Sequence, residues 1–163
     1  MVLSNDQIIE IKQCIEIALD KLYKDDDYLI LVESNERSIA FRFGLYFSEI
    51  IKGKNFYFDT LRVDFEYNRN FDKVKSMQGF SISHGVYPDL ILHDRGSNLC
   101  NLLVVEFKGH WSLEGYGKDF RKLCGFTHQE INDYHYGIGV FILLNKNRQG
   151  CELTYFINGA VQL

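Results

Sequence analysis

Two charged residues close an apolar run in the middle of the chain. Residues 101–110 read NLLVVEFKGH, so that Glu106 and Lys108 are separated by Phe107. Because side chains alternate across a strand, the two charges would share one face. An ionised carboxylate removed from water costs several kcal/mol unless a partner compensates it. The run therefore predicts a charged site at the end of a buried strand.

The only proline of the chain stands directly before a second candidate acid. Pro88 precedes Asp89 at the start of the segment VYPDLILHD. Proline has no N–H for a sheet ladder and favours a strand start or a bulge, which would re-aim Asp89. If this segment pairs with NLLVVEFKG as a hairpin around RGSN, Asp89 comes close to Glu106 and Lys108. Two carboxylates and an ammonium group would then converge.

A third acid, Glu36, lies in the segment SNERSIAFRFGLYFSEII. Its helical phase places it in the same stripe as Ala40 and Phe43. The alternative is a first-turn acid that complements the helix dipole and points to water. Three gathered carboxylates repel one another, and Mg²⁺, which prefers oxygen ligands, would relieve that repulsion. A lysine beside such a cation can act on a bound water and stabilise charge developing on a phosphate.

The remaining segments predict the elements that position these residues. Ser4 and Gln7 have capping-box spacing in front of an amphipathic helix, and Ser34 or Asn35 caps the helix that carries Glu36. The apolar run YLILV between them predicts a short strand, and the alternation in TLRVDFEYN predicts another with one face in water.

After the hairpin, GKDFRKLCGFT predicts a helix with Phe120, Leu123, Cys124 and Thr127 inward, and GIGVFILLN and ELTYFIN predict two more strands. The whole order predicts one domain over residues 1–163, with a mixed sheet and helices on its faces, of the α/β or α+β class.

Composition limits the possible partners. The net charge of −4 argues against a protein that coats nucleic acid non-specifically, so any such contact must be local. The best candidate for local positive potential is the long polar segment 69–85, where Arg69, Lys73 and Lys75 would contact phosphates or simply be solvated. The four scattered cysteines suggest neither disulfides nor a zinc knuckle. Without a membrane-spanning run or secretory signal, we expect a cytoplasmic protein that does not enter a membrane.

The combination of a helix acid, a strand-borne PD and an apolar run into ExK resembles the PD-(D/E)XK nuclease superfamily. The matching motifs are PD at positions 88–89 and EFK at positions 106–108, with Glu36 as the helix acid. The similarity in element order extends over about residues 34–156. The resemblance implies a restriction-endonuclease-like mixed β-sheet flanked by helices, with core order αβββαβ and the first helix as an addition.

The resemblance also implies roles for individual residues. Asp89, Glu106 and the backbone carbonyl of Phe107 would ligate Mg²⁺ or Mn²⁺, and Glu36 would act through a metal-bound water. Lys108 would orient the water that attacks the phosphodiester. The implied activity is metal-dependent hydrolysis of nucleic acid, most commonly of DNA.

Two further residues would touch the substrate. Lys122 matches a polar residue that the family places on the next helix, and His110 has the strand parity of Lys108, although such a histidine is more often a loop residue. A homodimer would suit double-strand cleavage, because two strands need two active sites.

Several alternatives remain open. Glu106 and Lys108 could form a surface ion pair, and Asp89 could be a turn residue. The substrate could be RNA or another phosphodiester. The chain could also be a catalytically inactive module that binds nucleic acid or a protein partner. The joint presence of Asp89, Glu106 and Lys108 favours catalysis.

Overall fold

Three helices precede the first strand. The structure, a computed structural model, describes residues 2–80 and 85–162. Its first helices are α1 (Asn5–Asp25), α2 (Asp27–Leu31) and α3 (Glu36–Ile50). The predicted capping box is confirmed, because the side chains of Ser4 and Gln7 each accept a hydrogen bond from the other residue's backbone N–H. Asn35 caps α3 by accepting from the N–H of Arg37.

Helix α2 corrects the prediction of a short strand at YLILV. The segment forms a short helix directly after α1, with Ile30 buried and Leu31 about half exposed. An apolar run of this length has no periodicity that separates a buried strand from a helical turn. The tertiary contact of Ile30 with the core decides its conformation.

In the described part of the chain, eight strands, one more long helix and a short 3₁₀ helix (Arg148–Gly150) complete the fold. The strands are β1 (Leu61–Phe65), β2 (Arg69–Asn70), β3 (Lys73–Val74), β4 (Leu90–Asp94), β5 (Asn101–Gly109), β6 (Ile138–Leu144), β7 (Glu152–Ile157) and β8 (Ala160–Val161), and α4 is Gly117–Thr127. The main sheet has the order β1-β4-β5-β6-β7-β8, while β2 and β3 form a separate hairpin. Strands β5 and β6 are parallel and the other neighbours antiparallel. The α/β class is therefore confirmed, as a mixed, mostly antiparallel sheet flanked by helices.

The register of β4 and β5 brings the two motifs together. These strands form the predicted hairpin, with Leu90 opposite Val105. Asp89 directly precedes Leu90, so it lies level with Glu106 at the start of β4. The irregularity in this pair falls at Leu92 and not at Pro88. No bulge at Pro88 is therefore needed to bring Asp89 next to Glu106, because the strand register already does so.

Helices cover the two faces of the sheet. Val105 and Phe107 pack with α1 and α3, whereas Val104 packs with α4. Because β5 alternates in this way and is buried along its whole length, Glu106 and Lys108 emerge on the α4 face. None of the helices in the described ranges is long and apolar enough to cross a bilayer.

Helix α4 has the predicted segment as its bounds, but its buried stripe differs. Leu123 and Thr127 are buried as predicted, together with Asp119 and Phe126. Phe120 and Cys124, which were also expected to point inward, are only half-buried. The stripe is therefore rotated toward the side on which the charged residues of β5 emerge.

Candidate functional site

Two carboxylates lie close together where β4 begins and β5 approaches its end. Glu106 is only 1% exposed. Asp89 is largely covered, and its Oδ2 accepts a hydrogen bond from the N–H of Phe107 at 2.7 Å. Burial raises the pKa of Asp89 to about 6. Burial, followed by the Asp89 charge, raises the pKa of Glu106 well above its usual value. Both groups are held in surroundings that penalise their charged forms.

Within residues 2–80 and 85–162, only one oxygen of Glu106 has a hydrogen-bond partner. Its Oε2 accepts a hydrogen bond from Nζ of Lys122 at 2.7 Å. Burial lowers the pKa of Lys122, but the Glu106 carboxylate more than offsets this and the pKa is raised overall. The other oxygen, Oε1, is buried and has no hydrogen-bond partner in the described part of the chain. An orphaned buried oxygen of this kind calls for an explanation such as a bound ion.

The donor set fits a hard divalent cation. No group of three or more Asp, Glu, His or Cys side chains is arranged to hold a metal within residues 2–80 and 85–162. Mg²⁺, however, is usually held by one or two carboxylates and keeps several waters. Asp89 and Glu106, with its orphaned oxygen, supply that smaller set.

Lys108 is surrounded by carboxylates without a short bond to any one of them. It is 6% exposed, and its Nζ lies 3.8 Å from Glu36, 3.5 Å from Glu114 and 3.9 Å from Asp119. These distances exceed the 2.7 Å of the pair between Lys122 and Glu106. The ammonium group is thus held at the site without being committed to one partner.

Glu36 points toward the sheet and not to water. Its Oε1 accepts a hydrogen bond from the N–H of Gly109 at 2.8 Å, at the end of β5. Of the two alternatives for Glu36, the core-side direction given by helical phase agrees with this contact, although the side chain stays 29% exposed and lies in the first turn of α3. Its participation through a metal-bound water stays a prediction.

Asp119 is a member of the cluster that sequence reasoning missed. Its two carboxylate oxygens lie 3.6 Å from Nζ of Lys122 and 3.9 Å from Nζ of Lys108. A signal was available, because Asp119 stands one helical turn before the buried Leu123. Glu114, the other new acid, comes from the loop before α4 and had no such signal.

A cleft of about 580 Å³ lies over these groups. Asp89, Glu106, Lys108, Glu36 and Lys122 all line it, as predicted for a common site. It also has three basic residues that were not predicted, Arg37, Lys118 and Arg121. Their only sequence signal is that they flank the motifs.

The predicted loop cations are not part of the cleft lining. Lys75 is 3% exposed, its Nζ donates to the carbonyl of Arg69 at 2.6 Å, and it lies 4.6 Å from the centre of the Tyr67 ring. Burial of the ammonium group does not support its predicted phosphate contact, and that burial lowers its pKa to about 8. Arg69 and Lys73 are exposed, but they lie outside the lining of this cleft. Residues 81–84 of the same segment lie outside the described residues.

His110 also lies outside the lining. It is exposed, and its ring packs edge-on against Trp111 with the ring centres 5.1 Å apart. The strand parity with Lys108 fails because β5 ends at Gly109. The predicted substrate contact of His110 is therefore not supported by its position.

Comparisons with known proteins give no match from which a function could be inferred. No family model matches the chain, and no curated protein or solved structure matches it either. The likeness to the PD-(D/E)XK nucleases stays a prediction that depends on the motifs and the site described above.

Proposed function

We propose that this protein is a Mg²⁺- or Mn²⁺-dependent nuclease of the PD-(D/E)XK type, with DNA as the first substrate to test. The observation that carries the proposal is the buried pair Asp89 and Glu106, with raised pKa values and one orphaned oxygen, beside Lys108 in a cleft. Titratable groups perturbed in this way are concentrated at functional sites.

The chain path supports the same proposal. From α3 to β6 the main elements are a helix, three strands of the sheet, a helix and a strand, if the small β2–β3 hairpin is set aside. This order agrees with the αβββαβ core that the resemblance implies. The parallel pairing of β5 and β6 requires a crossover, and α4 provides it on the face where Glu106 emerges.

Individual residues would divide the chemistry as follows. A bound divalent cation would supply positive charge that offsets the charge developing on the phosphate oxygens. Asp89, Glu106 and the Phe107 carbonyl would hold it, with Glu36 acting through water. Lys108 would hydrogen-bond the attacking water and orient it toward the phosphorus atom.

The basic lining residues would serve the substrate. Arg37, Lys118 and Arg121 line the cleft beside its carboxylates. Phosphate contacts of this kind fix the position of a nucleic acid and carry no sequence information. These three residues would therefore make the phosphate contacts that the sequence pattern predicted for the loop cations.

The direct test is incubation of the purified protein with supercoiled plasmid, linear duplex, single-stranded DNA and RNA, with Mg²⁺, Mn²⁺ or EDTA. We expect cleavage that needs the metal. Lys108→Ala should abolish it and leave the fold and Mn²⁺ binding close to wild type, because the lysine does not ligate the cation. Lys146→Ala, at an exposed position outside the cleft, is the matched control. Full activity of Lys108→Ala would contradict the mechanism.

One observation favours a rival function, a catalytically inactive binding module. Lys122 already neutralises Glu106 through a short ion pair, as a permanent substitute for a cation would. Under this alternative the protein binds no Mn²⁺ and cleaves none of the substrates. Isothermal titration with Mn²⁺ separates the two functions before any substrate is tried.

A further inference from the structure

A small apolar niche opens beside the acidic cleft, against α3. It encloses about 170 Å³ and is lined by Arg37, Ala40, Phe41, Phe65, Glu66 and Asp89. Phe41 is 50% exposed, and the centre of its ring lies 5.4 Å from that of Phe65. Isolated exposed aromatic residues are common, but here two rings form the wall of one recess. Nothing in the proposed hydrolysis of a phosphodiester uses them.

The inner ring of the niche is seated by a glycine. A Cβ atom at Gly44 would lie 2.2 Å from Cζ of Phe65, closer than real Cβ atoms approach another atom. Only glycine at this position of α3 lets the Phe65 ring lie across the helix. The wall of the niche is therefore preformed by packing.

The rim of the niche is polar and exchangeable. Nε of Arg37 lies 2.6 Å from Oε1 of Glu66, and both side chains are substantially exposed. Exposed ion pairs contribute little to stability, so these groups can change partners at low cost. A guanidinium group and a carboxylate are the side chains that hydrogen-bond the edges of nucleobases.

The niche and the cleft adjoin and share part of their walls. Arg37, Glu66 and Asp89 line both of them. A nucleotide whose phosphate lies at the carboxylates would therefore have the niche within reach of its own or its neighbour's base. This shared wall favours a part of the nucleic acid itself as the occupant over a protein segment.

We propose that the niche binds an unpaired nucleobase of the strand whose phosphate occupies the cleft, an inference that rests on the proposed nuclease function. A cavity of about 150 Å³ is enough to hold benzene, so this open recess admits one aromatic ring system. Aromatic side chains stack on any base, without sequence preference. A base inside a duplex is already stacked and paired. The substrate class is therefore single-stranded or locally unpaired nucleic acid.

Binding of short single-stranded DNA in EDTA tests the subsite without cleavage. Phe41→Ala should weaken the affinity about 5-fold to 100-fold, the range expected for the loss of one stacked base. Phe41→Trp should keep it, and binding of a blunt duplex should change in neither variant. Phe71→Ala is the matched control, because Phe71 is 59% exposed and lies outside the niche. A fluorescent purine analogue in the strand should be quenched by wild type and not by Phe41→Ala.

The outcomes separate this inference from the proposed function. Equal single-strand affinity and equal quenching for wild type and Phe41→Ala would overturn the subsite, whether or not the protein is a nuclease. If light scattering shows that wild type self-associates and Phe41→Ala does not, while strand binding is unchanged, the subsite is also overturned. The niche would then be assigned to a second copy of the chain. Absence of metal-dependent cleavage with Phe41-dependent strand binding would reject the nuclease and retain the subsite. Phe41→Leu, which keeps the apolar bulk and removes only the ring, should weaken strand binding even if Phe41→Ala affects folding.

Discussion

Two carboxylate clusters in the same sheet differ in how their charge is compensated. Between β1 and β4, Asp64 is hydrogen-bonded to Nε2 of His93 at 2.8 Å, and Arg95 binds both of its oxygens. Burial raises the pKa of Asp64, but the hydrogen bonds from Arg95 and His93 lower it by more than burial raises it. The pKa of Asp64 is therefore well below its usual value. At the cleft, Asp89 and Glu106 are also buried, yet their pKa values are raised.

The difference shows that burial alone does not identify a functional carboxylate. Asp64 has cationic or donor partners for both oxygens, whereas one oxygen of Glu106 has no hydrogen-bond partner among the described residues. A saturated cluster is sensitive to the removal of any member. An unsaturated cluster carries strain that a cation or a proton can relieve. The first pattern is typical of a structural network, and the second is the pattern that the proposed site requires.

The largest expected effect is on stability in the absence of metal. Asp64→Asn should lower the free energy of unfolding by about 3 kcal/mol, because it weakens the hydrogen bonds that the mostly buried Asp64 carboxylate makes with His93 and Arg95. Asp89→Asn should leave the protein as stable as wild type, or about 1 kcal/mol more stable, because it relieves carboxylate repulsion. Urea unfolding in EDTA measures both. Equal losses would mean that both clusters are structural networks.

A somewhat smaller effect should appear when metal is added. At a hundredfold excess over Kd, Mg²⁺ or Mn²⁺ should stabilise wild type by about 2.7 kcal/mol, if the unfolded chain does not bind it. Asp64→Asn should keep this gain, and Asp89→Asn should lose most of it. Thermal melts with EDTA and with each metal decide the point. A wild-type protein that responds to neither metal would remove the basis for a cation site.

The last expected effect is the pH dependence, in which the two clusters should have opposite signs. The pKa of Asp89 is about 6, above the value of about 3.9 in an unfolded chain. The folded state therefore binds this proton more tightly, and metal-free stability should fall as the pH rises from about 4 to about 6. Asp64 has a lowered pKa, so its contribution is present above about pH 4 and is lost as the pH falls through its folded value.

Asp89→Asn tests this sign directly. The variant should flatten the decline between pH 4 and pH 6, which amounts to about 3 kcal/mol for a full shift of about two pKa units. Urea unfolding at a series of pH values in EDTA gives the curves for wild type and variant. The contrary result is a free energy of unfolding that rises between pH 4 and pH 6 and does so equally in wild type and variant. The Asp89 carboxylate would then be part of a structural network, like that of Asp64.

Local sequence patterns predicted much of the fold and half of the site. The bounds of α4 and the hairpin of β4 and β5 follow from turn residues and periodicity. Alternation along β5 placed Glu106 and Lys108 on one face, and strand pairing brought Asp89 level with them. These predictions succeeded because each depends on residues that are near neighbours in the chain or in one hairpin.

The failures depend on contacts between distant segments. YLILV is helical because Ile30 meets the core, and Lys75 is buried because aromatic rings, including that of Tyr67, cover its ammonium group. The basic residues of the cleft, such as Arg37 and Arg121, come from two helices whose approach no local pattern describes. Asp119 was the one member that helical phase could have revealed.

Hydrogen bonds of Lys75 and Ser76 hold the middle of the segment between β1 and β4, and this affects the conformational entropy of the chain. The N–H of Lys75 donates to the carbonyl of Asn68, its own carbonyl accepts from the N–H of Val86, and the hydroxyl of Tyr134 bonds both to the N–H and to the carbonyl of Ser76. Closing a loop costs about 0.6 kcal/mol more for each doubling of its length. Hydrogen bonds in the middle of a long loop divide it into shorter loops, each of which has a smaller closure cost. The cleft wall at Val86 is one end of such a shortened loop. Tyr134 touches none of the site carboxylates, yet its removal should give that wall back the configurational freedom of the longer loop.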